Sequence, residues 1–247
     1  MDSFAYHYDL RPVFDDFLTM SMCAVTQIPG AGKSHYEDLY LQTVAKYKDD
    51  NLRFQFPKLF AQLVAEMELR WDDGQGNDVL GEYYELNFCR KNSGQFFTPW
   101  PICQFMAKSV CGEQTDEVKR IIDPTCGSGR MLTAAAKTMG WGHEYYGIDL
   151  DHTCVQMTAL NLFFNGIFNA EVMCADAIAP DNFRISYALS FLPLGIFRIE
   201  HKESSKLWHM YKNSLEKDKL VNPVPDLKLP SESNEQQTKP ASQLQLF

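Results

Sequence analysis

The chain has 247 residues, of which 45% are hydrophobic and 22% are charged, and its net charge is −9. This composition is typical of a globular protein and excludes a disordered or fibrous one. The acidic balance excludes a protein that coats DNA unaided, because phosphate contacts require Lys and Arg. Any contact with nucleic acid must therefore be local or shared with another subunit.

The N-terminus and the cysteines bear on the cellular compartment. The first ten residues, MDSFAYHYDL, have neither the basic segment nor the apolar segment of a secretory signal. No apolar run approaches the ~18–20 residues that a membrane span needs. The seven cysteines form no C-x-x-C pair, so we expect neither a zinc site nor a disulfide framework. A cytoplasmic protein in a reducing environment is predicted.

Apolar residues recur at helical spacing in three stripes, which predicts an α-helical N-terminal domain over residues 1–92. Each stripe is typical of a helix face that packs in a core. The stripes are Phe14, Phe17, Leu18, Met22 and Val25; Tyr36, Leu39, Tyr40, Val44 and Tyr47; and Phe56, Leu59, Phe60, Leu63, Val64, Met67 and Trp71.

Short apolar runs then alternate with helical stretches, a pattern typical of a parallel sheet with covering helices. It predicts an α/β domain over residues 93–200. In the remaining segment, 201–247, one helix is expected near Ser205–Glu216, and the polar, Pro-rich residues from Val221 onward predict a disordered tail. The expected strands are Arg120–Ile122, Tyr145–Leu150, Glu171–Cys174 and Ile185–Leu192, and the expected helices are Arg130–Thr138 and His152–Asn165.

Gly30–Ser34 (GAGKS) invites comparison with a phosphate-binding loop. That motif needs a Gly five positions before its second Gly, where this chain has Gln27. The segment also lies between two predicted helices, whereas a phosphate loop follows a strand. A helix–helix turn is the better interpretation.

Asp123–Gly129 (DPTCGSG) has the context that a ligand-binding loop needs, since it follows a predicted strand and precedes a predicted helix. Gly127 and Gly129 allow a tight turn and a close approach to a ligand, and the helix N-terminus offers free N–H groups. Asp149 ends the next strand, twenty positions after Gly129, where nucleotide-binding α/β units place a ribose-binding carboxylate. The alternative is a structural glycine turn with a surface aspartate.

Several blocks together resemble one protein family. DPTCGSGRML, from Asp123, resembles the S-adenosylmethionine loop of N6-adenine DNA methyltransferases, and above all the D-P-x-C-G-S-G of type I restriction-system modification subunits. Gly94–Pro99 (GQFFTP) is similar to the G-Q-F-[FY]-T-P block that precedes the loop in that family. Gly147–Asp151 (GIDLD) and Asp78–Gly81 (DVLG) extend the resemblance, which covers roughly residues 8 to 180.

The resemblance implies a Rossmann-like, S-adenosylmethionine-dependent methyltransferase fold of the α/β class, with an α-helical N-terminal domain. It implies S-adenosyl-L-methionine as cofactor, and DNA and other restriction–modification subunits as partners. For two of the implied site residues, the phenylalanines, core packing is an equal alternative. The implied residues are Asp123, Gly127 and Gly129 around the methionine part, Asp149 at the ribose diol, Asp176 near the adenine amino group, and Phe96, Phe97 and Thr98 on the opposite wall.

The chain departs from the family at the acceptor site. The family carries N-P-P-[FYW] at the end of its fourth strand, where the amide and a Pro carbonyl accept from adenine N6 and the aromatic ring stacks on the flipped base. By position, Phe191–Leu194 (FLPL) stands there in this chain, and the only Asn-Pro is Asn222-Pro223, followed by Val224. The sheet is expected to be truncated, and methyl transfer by the single chain is expected to be weak or absent.

Two functions of different classes remain open. One is an adenine-specific DNA methyltransferase of the restriction–modification type. The other is a non-catalytic relative that binds cofactor and DNA and acts in regulation. The last residues, Gln243, Leu244, Gln245, Leu246 and Phe247, resemble the peptide that docks bacterial proteins on the DNA sliding clamp, and the alternative is a C-terminus that folds back on its own domain.

Overall fold

The computed structural model describes residues 1–26, 35–70, 77–89, 96–111 and 117–221. Within these ranges a helix-rich part precedes a five-stranded sheet that carries helices on both faces. The helix-rich part contains α1 (Leu10–Val25), α2 (His35–Val44), α3 (Asp50–Arg53), α4 (Gln55–Leu69), α5 (Val79–Phe88) and α6 (Trp100–Cys111). The sheet part contains β1 (Arg120–Asp123), α7 (Arg130–Met139), β2 (Glu144–Asp149), α8 (His152–Phe164), β3 (Ala170–Cys174), β4 (Ile185–Phe191), β5 (Leu194–Ile199) and α9 (Lys206–Val221).

Helix α1 shows why the N-terminal stripes form helices. The helix begins after Asp9, whose side chain accepts a hydrogen bond from the Arg11 N–H and so satisfies a free donor of the first turn. The predicted apolar stripe of this helix, from Phe14 to Val25, is buried. It enters one continuous core together with residues of the sheet and of α8. The proposed boundary at residue 92 lies outside the described residues, and the division into domains stays a prediction.

Helix α8 lies at the centre of the molecule. Every residue from Thr153 to Leu162 is buried. One side of the helix packs on β2, β3, β4 and β5, and α1, α5 and α7 pack on the remaining sides. Burial all round explains why the sequence of this helix has no polar face.

Three strands of the sheet are parallel, in the order β1-β2-β3. Their carboxyl ends therefore meet at one edge, which places Asp123 and Asp149 there together. Side chains of β3 alternate between the two faces: Val172 joins the core on the α8 side, whereas Met173 packs with Leu207 of α9 on the other side. The predicted strands and helices of this part are present in the structure.

The direction of the fourth strand differs from the sequence expectation. Strand β4 runs antiparallel to β3, and β5, which the sequence pattern did not predict, forms a hairpin with β4. Only residues 175–184 join β3 to β4, and they contain a single 3-10 turn, Pro180–Asn182. A parallel crossover needs about a dozen or more residues, usually including a helix, so the chain reverses direction here. The predicted parallel pairing is therefore present for β1, β2 and β3 but not for β4.

This reversal also corrects the position of Phe191–Leu194. Leu189 of β4 pairs with Ala170, the first residue of β3, so Phe191 lies at the amino edge of the parallel strands. Its ring packs against Phe168, with centroids 5.5 Å apart. Phe191–Leu194 therefore does not lie at the carboxyl edge of the parallel strands, where Asp123 and Asp149 lie.

Some predictions fall where the structure describes nothing. They concern the Gly30–Ser34 turn, Gly94 and Gln95 of the GQFFTP block, and the tail with Gln243, Leu244, Leu246 and Phe247. Among the helices that the structure describes, none is both long enough and apolar enough to cross a membrane.

Candidate functional site

A cavity of about 270 Å³ opens at the carboxyl edge of the parallel strands, between the loop after β1 and the start of α8. Its walls carry two carboxylates, two aromatic rings and the backbone of the glycine-rich loop. A larger cavity, of about 470 Å³, lies between α1, α4 and α5, but its lining is mostly apolar. The smaller cavity is lined by Phe96, Phe97, Thr98, Asp123, Thr125, Cys126, Gly127, Ser128, Arg130, Met131, Asp149 and Cys154.

The loop after β1 needs glycine at two positions. Gly127 has φ of 56° and Gly129 has φ of 88°, both in the left-handed region that other residues enter at a cost. A Cβ atom on Gly127 would also lie 2.8 Å from the ring of Phe97. The loop is fastened from below by Thr158, whose hydroxyl donates to the Gly127 carbonyl at 2.8 Å. Gly129 then caps α7 on its N-terminal side.

Asp149, at the end of β2, is hydrogen-bonded to the same loop. Its Oδ2 accepts from the Gly127 N–H at 2.9 Å, and its Oδ1 accepts from the Asp151 N–H at 2.9 Å. Each oxygen keeps a second lone pair that can accept a ligand hydroxyl. Burial raises the pKa of Asp149, and these two backbone donors oppose the rise.

Asp123, at the end of β1, is the second carboxylate of the cavity. Its Oδ1 accepts from the Thr125 N–H at 3.1 Å. Burial raises the pKa of Asp123, and the neighbouring charge of Asp149 raises it further. A cationic ligand beside Asp123 and Asp149 would stabilise the ionised form of both carboxylates.

The aromatic wall divides into a core ring and a rim ring. Phe97 is only 9% exposed and packs against Tyr84 of α5, with centroids 5.8 Å apart. Phe96, in contrast, is 81% exposed at the rim of the cavity. Phe97 thus serves both the core and the cavity wall, whereas Phe96 is available for contact with a planar group.

The two cysteines of the cavity are not activated nucleophiles. Cys126 and Cys154 are both buried, and burial raises the pKa of each thiol above its ordinary value. A neutral thiol is a poor nucleophile. These side chains act as apolar wall.

The structure brings six of the eight predicted cofactor residues around this cavity. Gly129 is not part of the lining, but it turns the chain into α7 directly beside it. Asp176 follows β3 at the same edge of the sheet, outside the lining, and its Oδ1 accepts from the Ile178 N–H at 2.8 Å. The six that line the cavity are Phe96, Phe97, Thr98, Asp123, Gly127 and Asp149.

Sequence reasoning missed two charged residues that organise the loop, Asp78 and Arg130. Asp78 precedes α5 and is 5% exposed, and Arg130 is the first residue of α7. Their side chains meet in an ion pair at 2.5 Å beneath the loop. A helix-capping role for Asp78 could be read from the sequence, but its partner lies 52 positions away.

A glycine loop joins a parallel strand to a helix, and a carboxylate ends the next strand. This arrangement is typical of nucleotide-binding α/β units. Comparison with known proteins refines this class. Residues 75–193 match the family model described as N-6 DNA Methylase, a segment that includes Asp78, the glycine loop and Asp149. This segment, a little less than half of the chain, is similar to N-6 DNA methylases.

Two known proteins are similar to this chain. The type I restriction enzyme MpnII methylase subunit of Mycoplasma pneumoniae is 25% identical over 190 residues, which cover 72% of this chain. The chain spans 35% of the length of that relative. The crystal structure of a type I restriction-modification system methyltransferase subunit from Streptococcus thermophilus is 17% identical, with a TM-score of 0.30 over 63% of this chain and 50% of that one.

Proposed function

We propose that this chain binds S-adenosyl-L-methionine in the cavity at the carboxyl edge of β1 and β2, as part of an N6-adenine DNA methyltransferase of the type I restriction–modification kind. The observation that carries the proposal is the convergence of Asp123, Asp149 and the Gly127 turn on one cavity. The match of residues 75–193 to the N-6 DNA methylase family model supports the same cofactor.

The charge of the cavity supports this cofactor over a dinucleotide. A pyrophosphate would lie close to two carboxylates. Among the lining residues that the structure describes, Arg130 is the one cation, and it already pairs with Asp78 and Glu85. S-adenosylmethionine carries a sulfonium and an ammonium group, which these carboxylates attract. Its ribose diol fits the free lone pairs of Asp149, and its adenine ring has two phenylalanine rings within reach.

In this proposal, different residues of the cavity contact different parts of S-adenosylmethionine. Asp149 accepts from the ribose hydroxyls, and Asp123 faces the methionine part beside the turn made by Gly127 and Gly129. Phe96, Phe97 and Thr98 form the opposite wall, and Asp176 stands near the adenine amino group.

Ultraviolet cross-linking with S-adenosylmethionine labelled in its methyl group tests the assignment of the cavity. The label is expected in peptides that contain lining residues, and excess unlabelled S-adenosylhomocysteine should prevent it. Asp149→Ala should lose the label, whereas Asp50→Ala, which removes an exposed carboxylate from α3, should keep it. Equal labelling of the two variants, or label that resists competition, would contradict the proposal.

We further propose that this chain does not transfer the methyl group by itself. None of its 247 residues forms an Asn-Pro-Pro-aromatic segment. Strand β4 lies beyond β3, and its end with Phe191 is at the opposite edge of the sheet from the cavity. In this proposal the groups that accept hydrogen bonds from adenine N6 and stack on the base come from outside these 247 residues, and DNA and other restriction–modification subunits are the proposed partners.

A transfer assay tests this second step. Purified chain, labelled S-adenosylmethionine and adenine-containing DNA should give incorporation no higher than a reaction without protein. Robust incorporation into adenine by the single chain would contradict the proposal and would identify the protein as a complete methyltransferase.

The C-terminal peptide supports a separate proposal of recruitment to a bacterial sliding clamp. Leu244, Leu246 and Phe247 would enter an apolar groove and Gln243 a polar notch. A short peptide that is ordered on binding has an expected affinity in the micromolar range, about −8 kcal/mol. A labelled peptide of residues 238–247 should show this by fluorescence polarisation and should lose it when Leu246 and Phe247 are replaced by Ala. No polarisation change with the unmodified peptide would refute the recruitment proposal alone.

A further inference from the structure

One buried carboxylate, that of Asp78, receives four hydrogen bonds from three segments of the chain. Its Oδ1 accepts from the Gly81 N–H at 2.8 Å and from Asn161 Nδ2 at 2.6 Å. Its Oδ2 accepts from Ser128 Oγ at 2.6 Å and from Arg130 Nε at 2.5 Å. Three of these hydrogen bonds are buried and the one from Arg130 is partly buried. The donors belong to α5, to α8 and to the glycine loop with the start of α7.

Arg130 extends this network to the wall of the cavity. Its Nη2 donates to Glu85 of α5 at 3.1 Å, and its Nη1 donates to the Thr98 carbonyl at 3.4 Å. Its guanidinium also lies 5.5 Å from the centroid of the Phe97 ring. The ion pair therefore joins the loop on one side of the cavity to the aromatic segment on the other.

The loop depends on hydrogen bonds from other segments because two of its residues are glycines. Ser128 stands between the two left-handed glycines, and glycine loses more conformational freedom on ordering than any other residue. The hydroxyl of Ser128 is held by Asp78, and its carbonyl accepts from Asn161 Nδ2 at 2.8 Å. Gly127 is held from the ligand side by Asp149, which the cofactor also needs.

We propose that Asp78 is a positioning residue that fixes the glycine loop in its binding conformation and so sets the affinity for the cofactor. The inference rests on the proposed cofactor function but concerns a group that does not line the cavity. Because Asp78 caps α5, this role would make the helix-rich part of the chain a component of the cofactor site. Fixing the loop before binding removes an ordering cost that the ligand would otherwise meet.

The requirement for a carboxylate is specific. Both oxygens of Asp78 accept, so the isosteric amide of Asp78→Asn must turn its NH₂ group toward a donor. Placing that group opposite Arg130 or Asn161 sets donor against donor. The cap on α5 can survive, since Asn is as good an N-cap residue as Asp. Asp49→Asn is the matched control, because Asp49 caps α3 through the Asn51 N–H, away from the loop.

Hydrogen exchange measured without ligand tests the positioning directly. Asp78→Asn and Ser128→Ala should both speed exchange in the peptide that covers residues 125–130, while peptides of β3 keep wild-type rates. Ser128→Ala removes only one of the four bonds, so it remains informative if Asp78→Asn fails to fold. Unchanged loop exchange, or exchange that rises equally throughout the sheet, would overturn the proposal.

Calorimetry with S-adenosylmethionine tests the consequence for affinity. Asp78→Asn and Ser128→Ala should each bind S-adenosylmethionine about tenfold or more weakly than wild type. In the variant that carries both substitutions, the loss of affinity should be smaller than the product of the two single losses. The control Asp49→Asn should bind as wild type does. Independent, fully multiplicative losses would overturn the role of the Asp78–Ser128 contact. If wild-type protein binds no cofactor, the proposed function fails, whereas the exchange measurement still decides whether Asp78 positions the loop.

Discussion

Replacing Gly81 by Ala should destabilise the protein, although the same change usually stabilises a helix. Gly81 lies in the first turn of α5, and its backbone is helical. A Cβ atom built there would lie well under 3.0 Å from both carboxylate oxygens of Asp78 and from the hydroxyl of Ser128. Glycine is needed at position 81 because the side chains of Asp78 and Ser128 occupy the space that the methyl group of an alanine would take.

The expected magnitude follows from opposing contributions. Helix propensity favours Ala over Gly by about 1 kcal/mol. Overpacking a buried site costs about 1–3 kcal/mol. Displacing the Asp78 carboxylate also weakens a hydrogen bond to a charged group, worth about 1.5–3 kcal/mol. A net loss of about 2–4 kcal/mol in the free energy of unfolding is expected, or about 5–15 °C in Tm for a chain of this size.

Urea denaturation followed by circular dichroism measures this change. Gly142→Ala is the control, because a Cβ atom there meets nothing within 4 Å, and its midpoint should stay near that of wild type. A Gly81→Ala protein as stable as wild type, or more stable, would refute the reasoning. It would show that the Asp78 side chain can move aside without lowering the free energy of unfolding.

Three other outcomes are expected. Gly127→Ala should abolish detectable S-adenosylmethionine binding in equilibrium dialysis, because φ of 56° strains Ala and its Cβ meets Phe97 at 2.8 Å; binding within about twofold of wild type would contradict this. Burial raises the pKa of Asp123 in the folded protein, so its ionised form costs stability at neutral pH. Asp123→Asn should therefore raise Tm at pH 7, and the gain should vanish as pH falls through the raised pKa toward that of an unfolded aspartate; a gain that persists at low pH would contradict the linkage. Glu171→Ala should lower stability by about 2–5 kcal/mol in urea denaturation, because it removes the acceptor of two buried serine hydroxyls and of the Leu207 N–H; an unchanged midpoint would contradict this.

The parts of the fold that are determined by residues close together in the sequence could be predicted. The glycine loop, β1, β2 and α8 follow from apolar runs, glycine spacing and an acidic strand end, all within the segment from Arg120 to Phe164. These local signals placed Asp123, Gly127 and Asp149 correctly at one edge, because parallel strands bring their carboxyl ends together.

Interactions between distant segments could not be predicted in the same way. The hydrogen bond from Ser128 to Asp78 spans 50 positions, and nothing in the sequence around Asp78 indicates its partner. The direction of β4 was missed for another reason: its apolar pattern fits either orientation, and only the short connection from β3 decides it. The antiparallel pairing then moved Phe191 away from the cavity.

A calorimetric titration of the purified chain with S-adenosyl-L-methionine tests the central claim most directly. The cavity predicts saturable binding of one cofactor molecule per chain, with heat that disappears when Gly127 is replaced by Ala and persists when Gly142 is replaced by Ala. If the wild-type protein gives no heat of binding at about 1 mM cofactor, its binding free energy is weaker than about −4 kcal/mol. That result would contradict the claim that this chain is a cofactor-binding methylase unit.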